Sequence, residues 1–594
     1  MCRIAGIIDR SLPTDTVHAL VKEMCNSLKA GGPDDEGTYC NNTHHLVLGH
    51  RRLAIIDLTP AGHQPMSYLD QRYWISYNGE LYNYPELKET LQKEGCVFNS
   101  SSDTEVILAA FATWGTTAFK QFNGMFAFAL WDAVTASLYL VRDGSGIKPL
   151  YYAISKQGLV FASELKAFAP VPWLQKKNPR WPIFLMAYGH LPEPITTLED
   201  VQPLEKGNWL QYHAASGLSR TEPFNRYSYL EKISNRRDAI HLLKDSLAKA
   251  VKRHLLADAP IGVFLSGGLD SAIIALLANN DQVRLETISL YFEQDQFSEK
   301  KYQDILQQRL TCNHHQHLLK EDEFHEFFPG IINSMDLPSS DGINTWFIAR
   351  YAQENGLKAV LSGIGADELY GGYPSFNRIK AALTLRHLSN ALLRSGRVSG
   401  LKKFRRLGYL TIEGPVGDYL FLRGQFTAVE IAARLGADEK EIWEVLSEQP
   451  HLPRIDHMTP KNQASWIETN MYMQNQLLRD CDVMSMAHGL EIRVPFLDAD
   501  FIRLTLQINS HVKYSGKLRK QLLIDSFKDI LPEATWNRPK MGFSFPFKEW
   551  LERDQFAADI MGRDANGYYK KFMEGKMHWS QYLTSILIAN HRHA

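Results

Sequence analysis

Val263-Phe264-Leu265-Ser266-Gly267-Gly268-Leu269-Asp270-Ser271 carries the architecture of the C-terminal half of this chain. Ile261–Leu265 is a short apolar run of the kind that forms a buried strand, and the residues after Gly268 open a helix. Gly267 and Gly268 permit backbone angles, and a closeness to a ligand, that a β-carbon forbids. The N–H groups at the start of the helix point out of the turn, and the helix dipole adds to their attraction for an anion. Ser266 and Ser271 can donate hydroxyl hydrogen bonds, and Asp270 is a hard oxygen ligand of the kind Mg2+ prefers. A Ser-Gly-Gly turn alone is commonplace. Strand, glycine turn, acidic residue and helix in succession make a phosphate loop, and one distinct from the GxxxxGKS type.

A long amphipathic helix, Arg237–Leu256, leads into this strand. Beyond the loop, Leu285–Phe292, Glu299–Leu310, His315–Leu319, Asn344–Glu354 and Lys358–Leu361 alternate between strand and helix character. That alternation predicts an α/β unit with a doubly wound parallel sheet, and the remainder to residue 594 reads as mostly helical. The strand ending at Leu361 runs into Ser362-Gly363-Ile364-Gly365-Ala366-Asp367-Glu368 and then Gly371-Gly372-Tyr373. Ligands of such sheets collect at the carboxyl ends of the strands, so Asp367 is expected beside Asp270 across one crevice. Each aspartate alone reads equally well as a helix cap. Together, flanking a polyphosphate, they read as a metal pair.

The first 170 residues follow a different rhythm. Leu46–Leu48, Leu53–Asp57, Tyr73–Tyr77, Met125–Trp131 and Ser137–Val141 are short β-like runs, interrupted by helical patterns near Asp15–Lys29 and Asp103–Thr113. This predicts a layered α+β unit. Residues 170 to 232 are rich in Pro and Gly and read as a connector, so the two units are set at 1–210 and 235–594. Cys2 follows the initiator Met1. Removal of Met1 would leave a thiol and a free α-amine on one residue, and an amine titrating near 7.7–8.0 is a suitable base for that thiol.

A chain of 594 residues requires more than one core. Its 44% hydrophobic and 22% charged residues are ordinary for a globular protein, and a net charge of −1 gives no reason to expect nucleic acid or a membrane surface. The N-terminus has no signal-peptide pattern and no apolar run is long enough to span a bilayer. The six scattered cysteines form no CxxC, which fits a reducing cytoplasm rather than a zinc site or a disulfide framework. Between Asn377 and Leu410 stand nine Lys/Arg and no acid, which reads either as a solvated helical face or as a dock for an acidic partner.

These pieces, in this order, resemble the glutamine-hydrolysing asparagine synthetase family, over nearly the whole chain except about 375–460. Cys2, Arg52-Leu53-Ala54-Ile55-Ile56-Asp57, Asn78-Gly79-Glu80 and Ser102-Asp103 resemble a class II glutamine amidotransferase, an N-terminal-nucleophile (Ntn) hydrolase with a β sandwich covered by helices. The Ser266–Ser271 loop resembles that of enzymes splitting ATP into AMP and pyrophosphate. Met484 to Asp498 and Gly516-Lys517-Leu518-Arg519-Lys520 continue the likeness. The resemblance implies Cys2 as nucleophile and Asn78 with the Gly79 N–H as oxyanion donors. It implies Arg52 through Ile56, Asn78, Gly79, Glu80 and Asp103 around glutamine, with Arg52 on its carboxylate and Asp103 on its ammonium. It implies Phe264, Ser266, Gly267, Gly268, Leu269, Asp270, Ser271, Leu290, Ser362 and Gly363 around ATP, Asp270 and Asp367 on Mg2+, and Lys520 facing the phosphates. The implied substrates are glutamine, ATP and a carboxylate acceptor, aspartate by default. The resemblance leaves the oligomeric state open, a homodimer included.

Three departures bear on that expectation. Ile364 stands where the family commonly has Glu, in Ser-Gly-Glu-Gly, and isoleucine can neither donate nor accept a proton. Another base, ammonia arriving neutral, or a different acceptor, a non-aspartate carboxylate of a secondary-metabolite, peptide or sugar-acid pathway, would each accommodate it. Lys29-Ala30-Gly31-Gly32-Pro33-Asp34 lacks the family's Arg-His-Arg before Gly-Pro-Asp, and Arg142-Asp143-Gly144-Ser145-Gly146-Ile147-Lys148-Pro149 has an unusual Gly-Ser pair.

Overall fold

The structure is a computed structural model of the full chain and describes residues 2–279, 285–395, 402–448, 452–539, 541, 545–552 and 567–593. Twelve strands form the N-terminal unit among these residues. They are β1 (Arg3–Asp9), β2 (Asp35–Asn41), β3 (Leu46–Arg52), β4 (Met66–Tyr68), β5 (Tyr73–Leu81), β6 (Gly124–Asp132), β7 (Ser137–Arg142), β8 (Tyr151–Ile154), β9 (Gly158–Ala162), β10 (Gln202–Pro203), β11 (Asn208–His213) and β12 (Ser219–Pro223). They make two antiparallel six-stranded sheets, ordered β10-β8-β9-β1-β3-β2 and β12-β11-β7-β6-β5-β4. Ile4, Ile8, Leu46 and Leu48 from the first sheet meet Ala129, Trp131, Leu140 and Leu210 from the second in one buried layer. Helices cover the outer faces: Thr14–Ser27 lies on the first sheet, and Asp103–Trp114 on the second. Strands with both faces covered have no polar side to show. β1 and β3 are accordingly buried at every position, and their polar residues find partners in the interior, Arg3 on Glu164 and Arg51 on the Cys25 carbonyl.

In the C-terminal unit β13 (Ile261–Phe264), β14 (Glu286–Tyr291), β15 (Asn313–Leu318), β16 (Ala359–Leu361) and β17 (Glu491–Arg493) form a parallel sheet in the order β15-β14-β13-β16-β17. The helix Arg236–His254, capped by Asn235, and the helix Leu269–Ala278 pack against it, as the alternating pattern predicts. Helices make up most of the rest, together with an eleven-residue π-helical segment, Glu468–Leu478.

Two expectations change. The run Leu53–Asp57 is a loop, not a strand. Arg52 draws the carbonyls of Ile56, Asp57 and Thr59 onto its guanidinium, and Asp57 takes a left-handed φ of 54°, which bends the run away from any ladder. The supposed connector is also structured. β11 and β12 extend the second sheet to Pro223, past residue 210, and Trp181–Tyr188 is a helix buried on almost every side, which hides its period.

The two units share core and charge. Leu53, Ile55, Tyr82, Met125 and Ile147 belong to the same apolar cluster as β13, β16 and β17. At its centre the fully buried Arg493 pairs with Glu491 at 2.5 Å and with Glu80 of β5 at 3.2 Å, and donates to the carbonyls of His254 and Leu256 at 2.8 and 2.6 Å. Lys358 reaches Asp34 at 2.8 Å across the same seam. Arg493→Ala is expected to lower stability by about 3–5 kcal/mol, since two buried carboxylates lose their cation. Thermal unfolding checks this. Arg493→Gln combined with Glu491→Gln should unfold at a higher temperature than Arg493→Ala, and an equal or lower value would contradict the charge argument.

Candidate active sites

Cys2 is buried just ahead of β1, and its Sγ lies 4.0 Å from the carbonyl oxygen of Leu53. Burial pushes its thiol up to about 11, with the charge of Arg52 lowering it and that of Glu80 raising it. Both charges therefore act on the sulfur. A thiol at about 11 is protonated at neutral pH and needs a base. On β5, Asn78 is fully buried, and neither atom of its amide has a hydrogen-bond partner among the described residues. A buried, unpaired amide is costly unless something else engages it. The next residue must be glycine, because a Cβ on Gly79 would sit 2.2 Å from the Met125 carbonyl oxygen on the neighbouring β6.

The charged residues expected around glutamine are anchored from several elements. Asp103, in the first turn of the helix capped by Ser102, accepts from the Tyr77 hydroxyl and the Leu81 N–H, both at 2.9 Å. Burial raises its carboxyl to about 6, and those two hydrogen bonds hold it down from a higher value. Arg52 is occupied by the loop it folds, while Glu80 faces the interdomain Arg493. Leu53 and Ile55 are buried in the seam, and Ala54 and Ile56 are half-buried. Sequence reading missed the residues that hold β5 in register. Gln64, before a cis Pro65, accepts from the Tyr77 N–H at 2.8 Å. His50, lowered to about 3 by burial and so neutral, donates to the Tyr77 carbonyl at 3.1 Å.

One of the departures acquires a structural reason here. Arg3 is fully buried, paired with Glu164 at 2.5 Å and with Asp482 at 2.9 Å. A Cβ on Gly31 would lie 2.9 Å from Arg3 Cγ, so a larger residue at 31 would displace that guanidinium. In the 142–149 turn, Asp143 accepts from the N–H groups of Ser145, Ile147 and Lys148 at 2.9–3.1 Å.

The second site lies at the carboxyl ends of β13, β14 and β16. Ser266 Oγ and Ser271 Oγ are 3.0 Å apart, and Gly268 caps the helix Leu269–Ala278. Gly363 packs against the loop so closely that a Cβ there would lie 2.8 Å from Asp270 Cβ, which brings the Ser362-Gly363 turn onto the Ser266–Ser271 loop. Phe264 is partly exposed, and Leu290 is buried within β14. Asp270 and Asp367 do meet, and Lys520 joins them. Its Nζ lies 2.8 and 2.7 Å from the two Asp270 oxygens and 2.5 Å from Asp367 Oδ1. Burial opposes its charge, but the two carboxylates outweigh that and hold the amine above its ordinary value. Lys520 has a left-handed φ of 54° at the start of the helix Gln521–Phe527, an uncommon backbone for a residue with a Cβ. Ile364 packs on the apolar core of the unit. The carboxyl left in that turn is Glu368, buried and accepting from Tyr373 at 2.8 Å, raised to about 7 by burial and by Asp367.

The basic run does not form a second cleft among the described residues. Arg378 donates to the Leu422 carbonyl and Arg386 pairs with Asp418 at 2.9 Å, so these cations brace neighbouring helices. Arg397 and the side chains of Lys402 and Lys403 lie outside the described residues.

The two folds and their sites define a glutamine amidotransferase fused to a nucleotide-using synthetase. A glutamine amidotransferase domain family model matches residues 1–225, and the asparagine synthase family model matches residues 242–575. The chain is 31% identical to asparagine synthetase [glutamine-hydrolyzing] 1 of Bacillus subtilis, over 93% of this chain and 88% of that protein. It is 32% identical to a putative asparagine synthetase [glutamine-hydrolyzing] of Mycobacterium tuberculosis, over 88% and 83%. It is also 26% identical to amidase chry2 of Gibberella zeae, over 87% and 84%. The chain belongs to the asparagine synthase family of ATP-dependent, glutamine-hydrolysing carbon–nitrogen ligases.

Glutamine binding should depend on the ionisation of Asp103. In a Cys2→Ala variant, glutamine affinity is expected to fall as pH drops through about 6, where the Asp103 carboxylate takes up a proton. Tyr77→Phe removes a donor to that carboxylate, so calorimetric titration should find the midpoint at higher pH. An unmoved midpoint would exclude Asp103 as the group.

Proposed function

We propose that this protein moves the amide nitrogen of glutamine onto an ATP-activated carboxylate, with aspartate as the acceptor and asparagine, AMP and pyrophosphate as products. The observation that carries the reading is the meeting of Asp270, Asp367 and Lys520 at the mouth of a Ser-Gly-Gly phosphate loop.

At the first site, the α-amine exposed by loss of Met1 takes the proton from Cys2 Sγ. The thiolate attacks the side-chain amide carbon of glutamine. The Asn78 amide and the Gly79 N–H receive the oxyanion, a contribution of about 3 kcal/mol per donor in comparable sites. Arg52 faces the substrate carboxylate and Asp103 its ammonium. Collapse of the tetrahedral species breaks the C–N bond, the ammonium of Cys2 returns its proton to the departing ammonia, and water hydrolyses the thioester.

At the second site, an acceptor carboxylate oxygen attacks the α-phosphorus of ATP and the bond to pyrophosphate breaks. The Ser266–Ser271 loop holds the departing pyrophosphate, and Lys520 faces the developing charge, where a dry cleft strengthens it. Phe264, Leu290, Ser362 and Gly363 line the adenosine. The oxygens of Asp270 and Asp367, which already converge on the Lys520 ammonium, are hard donors that would hold Mg2+, and Mg2+ there would neutralise polyphosphate charge. Ammonia then attacks the acyl carbon and AMP leaves. Six free cysteines accord with a reducing compartment, and no helix among the described residues is long and apolar enough to cross a membrane.

One observation favours a second acceptor class. Ile364 gives the turn after β16 an apolar surface, and a relative of similar length is named an amidase rather than an asparagine synthetase. A larger, less polar carboxylate suits that wall better than aspartate does.

With glutamine, ATP, Mg2+ and acceptor, AMP and pyrophosphate should form in equal amounts, and formation of ADP would end this mechanism. Cys2→Ala should abolish glutamine-dependent synthesis while ammonia-dependent synthesis continues. Lys520→Met should reduce both by about a hundredfold or more, as removal of one fixed electrostatic donor does elsewhere. An acceptor screen read by pyrophosphate release separates aspartate from the alternative class.

A further inference from the structure

Arg538 reaches the phosphate loop from 271 positions away and holds it from behind. Its Nη2 donates to the Gly267 carbonyl at 3.1 Å and to Glu299 at 2.5 Å, and its guanidinium stacks 3.7 Å from the centre of the Tyr302 ring. The arginine side chain is 9% exposed and that of Glu299 6%. Burial raises the Glu299 carboxyl, and Arg538 pulls it back down. Tyr302 also abuts Gly267 itself, because a Cβ there would stand 3.0 Å from Tyr302 Cβ. Arg538 and Tyr302, from two distant segments, therefore converge on a single peptide unit, and Glu299 holds the arginine there.

That unit is the Gly267–Gly268 peptide. A trans peptide is planar, so its carbonyl and its N–H point in opposite directions. Fixing the Gly267 oxygen onto Arg538 turns the Gly268 N–H away from Arg538, toward the side of Ser266 and Ser271. That N–H now makes only a long contact, 3.4 Å, to Ser266 Oγ. A peptide between two glycines rotates easily, because neither neighbour has a Cβ to oppose it. Gly267, at φ +77°, is already in the left-handed region that such rotations exchange. Without a restraint on its oxygen, this peptide has little to keep its N–H on the anion side.

We propose that Arg538 is a positioning residue that locks the Gly267–Gly268 peptide so that its N–H receives the pyrophosphate of ATP. The proposal rests on the reading of this loop as a pyrophosphate site. Glu299 and Tyr302 fix the orientation of the planar guanidinium, and an ammonium in its place would be held poorly because it lacks the rigid fork and the stacking face.

The test is product inhibition of the full-length enzyme by pyrophosphate and, separately, by AMP. Arg538→Met is expected to weaken inhibition by pyrophosphate about tenfold, the equivalent of roughly one charge-strengthened hydrogen bond, while inhibition by AMP stays within about twofold. Arg538→Lys should recover part of the loss. Because Arg538→Met leaves Glu299 buried without its cation, Arg538→Met with Glu299→Gln is measured beside it and should show the same selective loss. Equal weakening for AMP and pyrophosphate in the double variant would mean a collapsed cleft and overturn the proposal, as would unchanged pyrophosphate inhibition. The wild-type products keep the two readings apart. If the unaltered enzyme makes AMP and pyrophosphate but the variants show no selective loss, only the role of Arg538 falls. If it makes ADP, the reading of the loop falls with it.

Discussion

The buried guanidinium of Arg493 is the constraint on which the arrangement of the molecule depends. It sits on β17, the last strand of the parallel sheet, and its partners come from both units: Glu491 beside it, Glu80 on the strand that carries Asn78 and Gly79, and two carbonyls at the end of the helix Arg236–His254. A charge removed from water is tolerated only where its partners are in place, so this cation demands that the units dock in one register. The apolar seam around it makes that register favourable. The specificity of the docking comes from the charge, because apolar packing alone accepts many arrangements.

Docking has a chemical purpose. Two reactions must share an intermediate, ammonia, that neutral water would protonate. The strand that presents Asn78 and the sheet that ends at the phosphate loop are therefore parts of one packed body, tied through Glu80 and Arg493, with Arg3 adding a second tie from the residue after the nucleophile to Asp482. The family's arginine before Gly-Pro-Asp is absent at Gly31, and the space beside that glycine is filled by Arg3. A local departure from the family pattern is thus matched by another residue distant in sequence and adjacent in space.

What could be read from the chain alone divides along a physical line. The meeting of Asp270 and Asp367 was legible, because parallel sheets bring strand ends together and both aspartates follow strands. Strands β5, β6 and β7 were legible as short β-like runs between turn residues. Leu53–Asp57 was misread because its apolar residues serve the interdomain seam, a burial that resembles a strand in composition but not in backbone. The helix Trp181–Tyr188 was lost in the connector because it is buried on nearly every side and has no period to detect. Lys520 came only from resemblance, since nothing local marks a lysine as the partner of two distant carboxylates. Arg538 and Arg493 were beyond reach for the same reason: a single arginine among 594 residues looks like surface until its partners are seen.

The π-helical segment Glu468–Leu478 touches both halves of the machine. On one side Asn470, Gln474 and Asn475 hold Lys206 and Glu193 of the first unit. On the other, Glu468 pairs with Arg423, and Tyr472 packs on Tyr373, whose hydroxyl serves Glu368. A helix closed by i→i+5 bonds allots more residues to each turn than the α form. The spacing of these two contact rows is therefore a property of the winding as much as of the side chains. Deleting one residue would rotate all that follows by one residue's share of a turn, which in this wider winding is less than the roughly 100° of an α-helix. Evolution can exchange letters in this stretch far more freely than it can change their number.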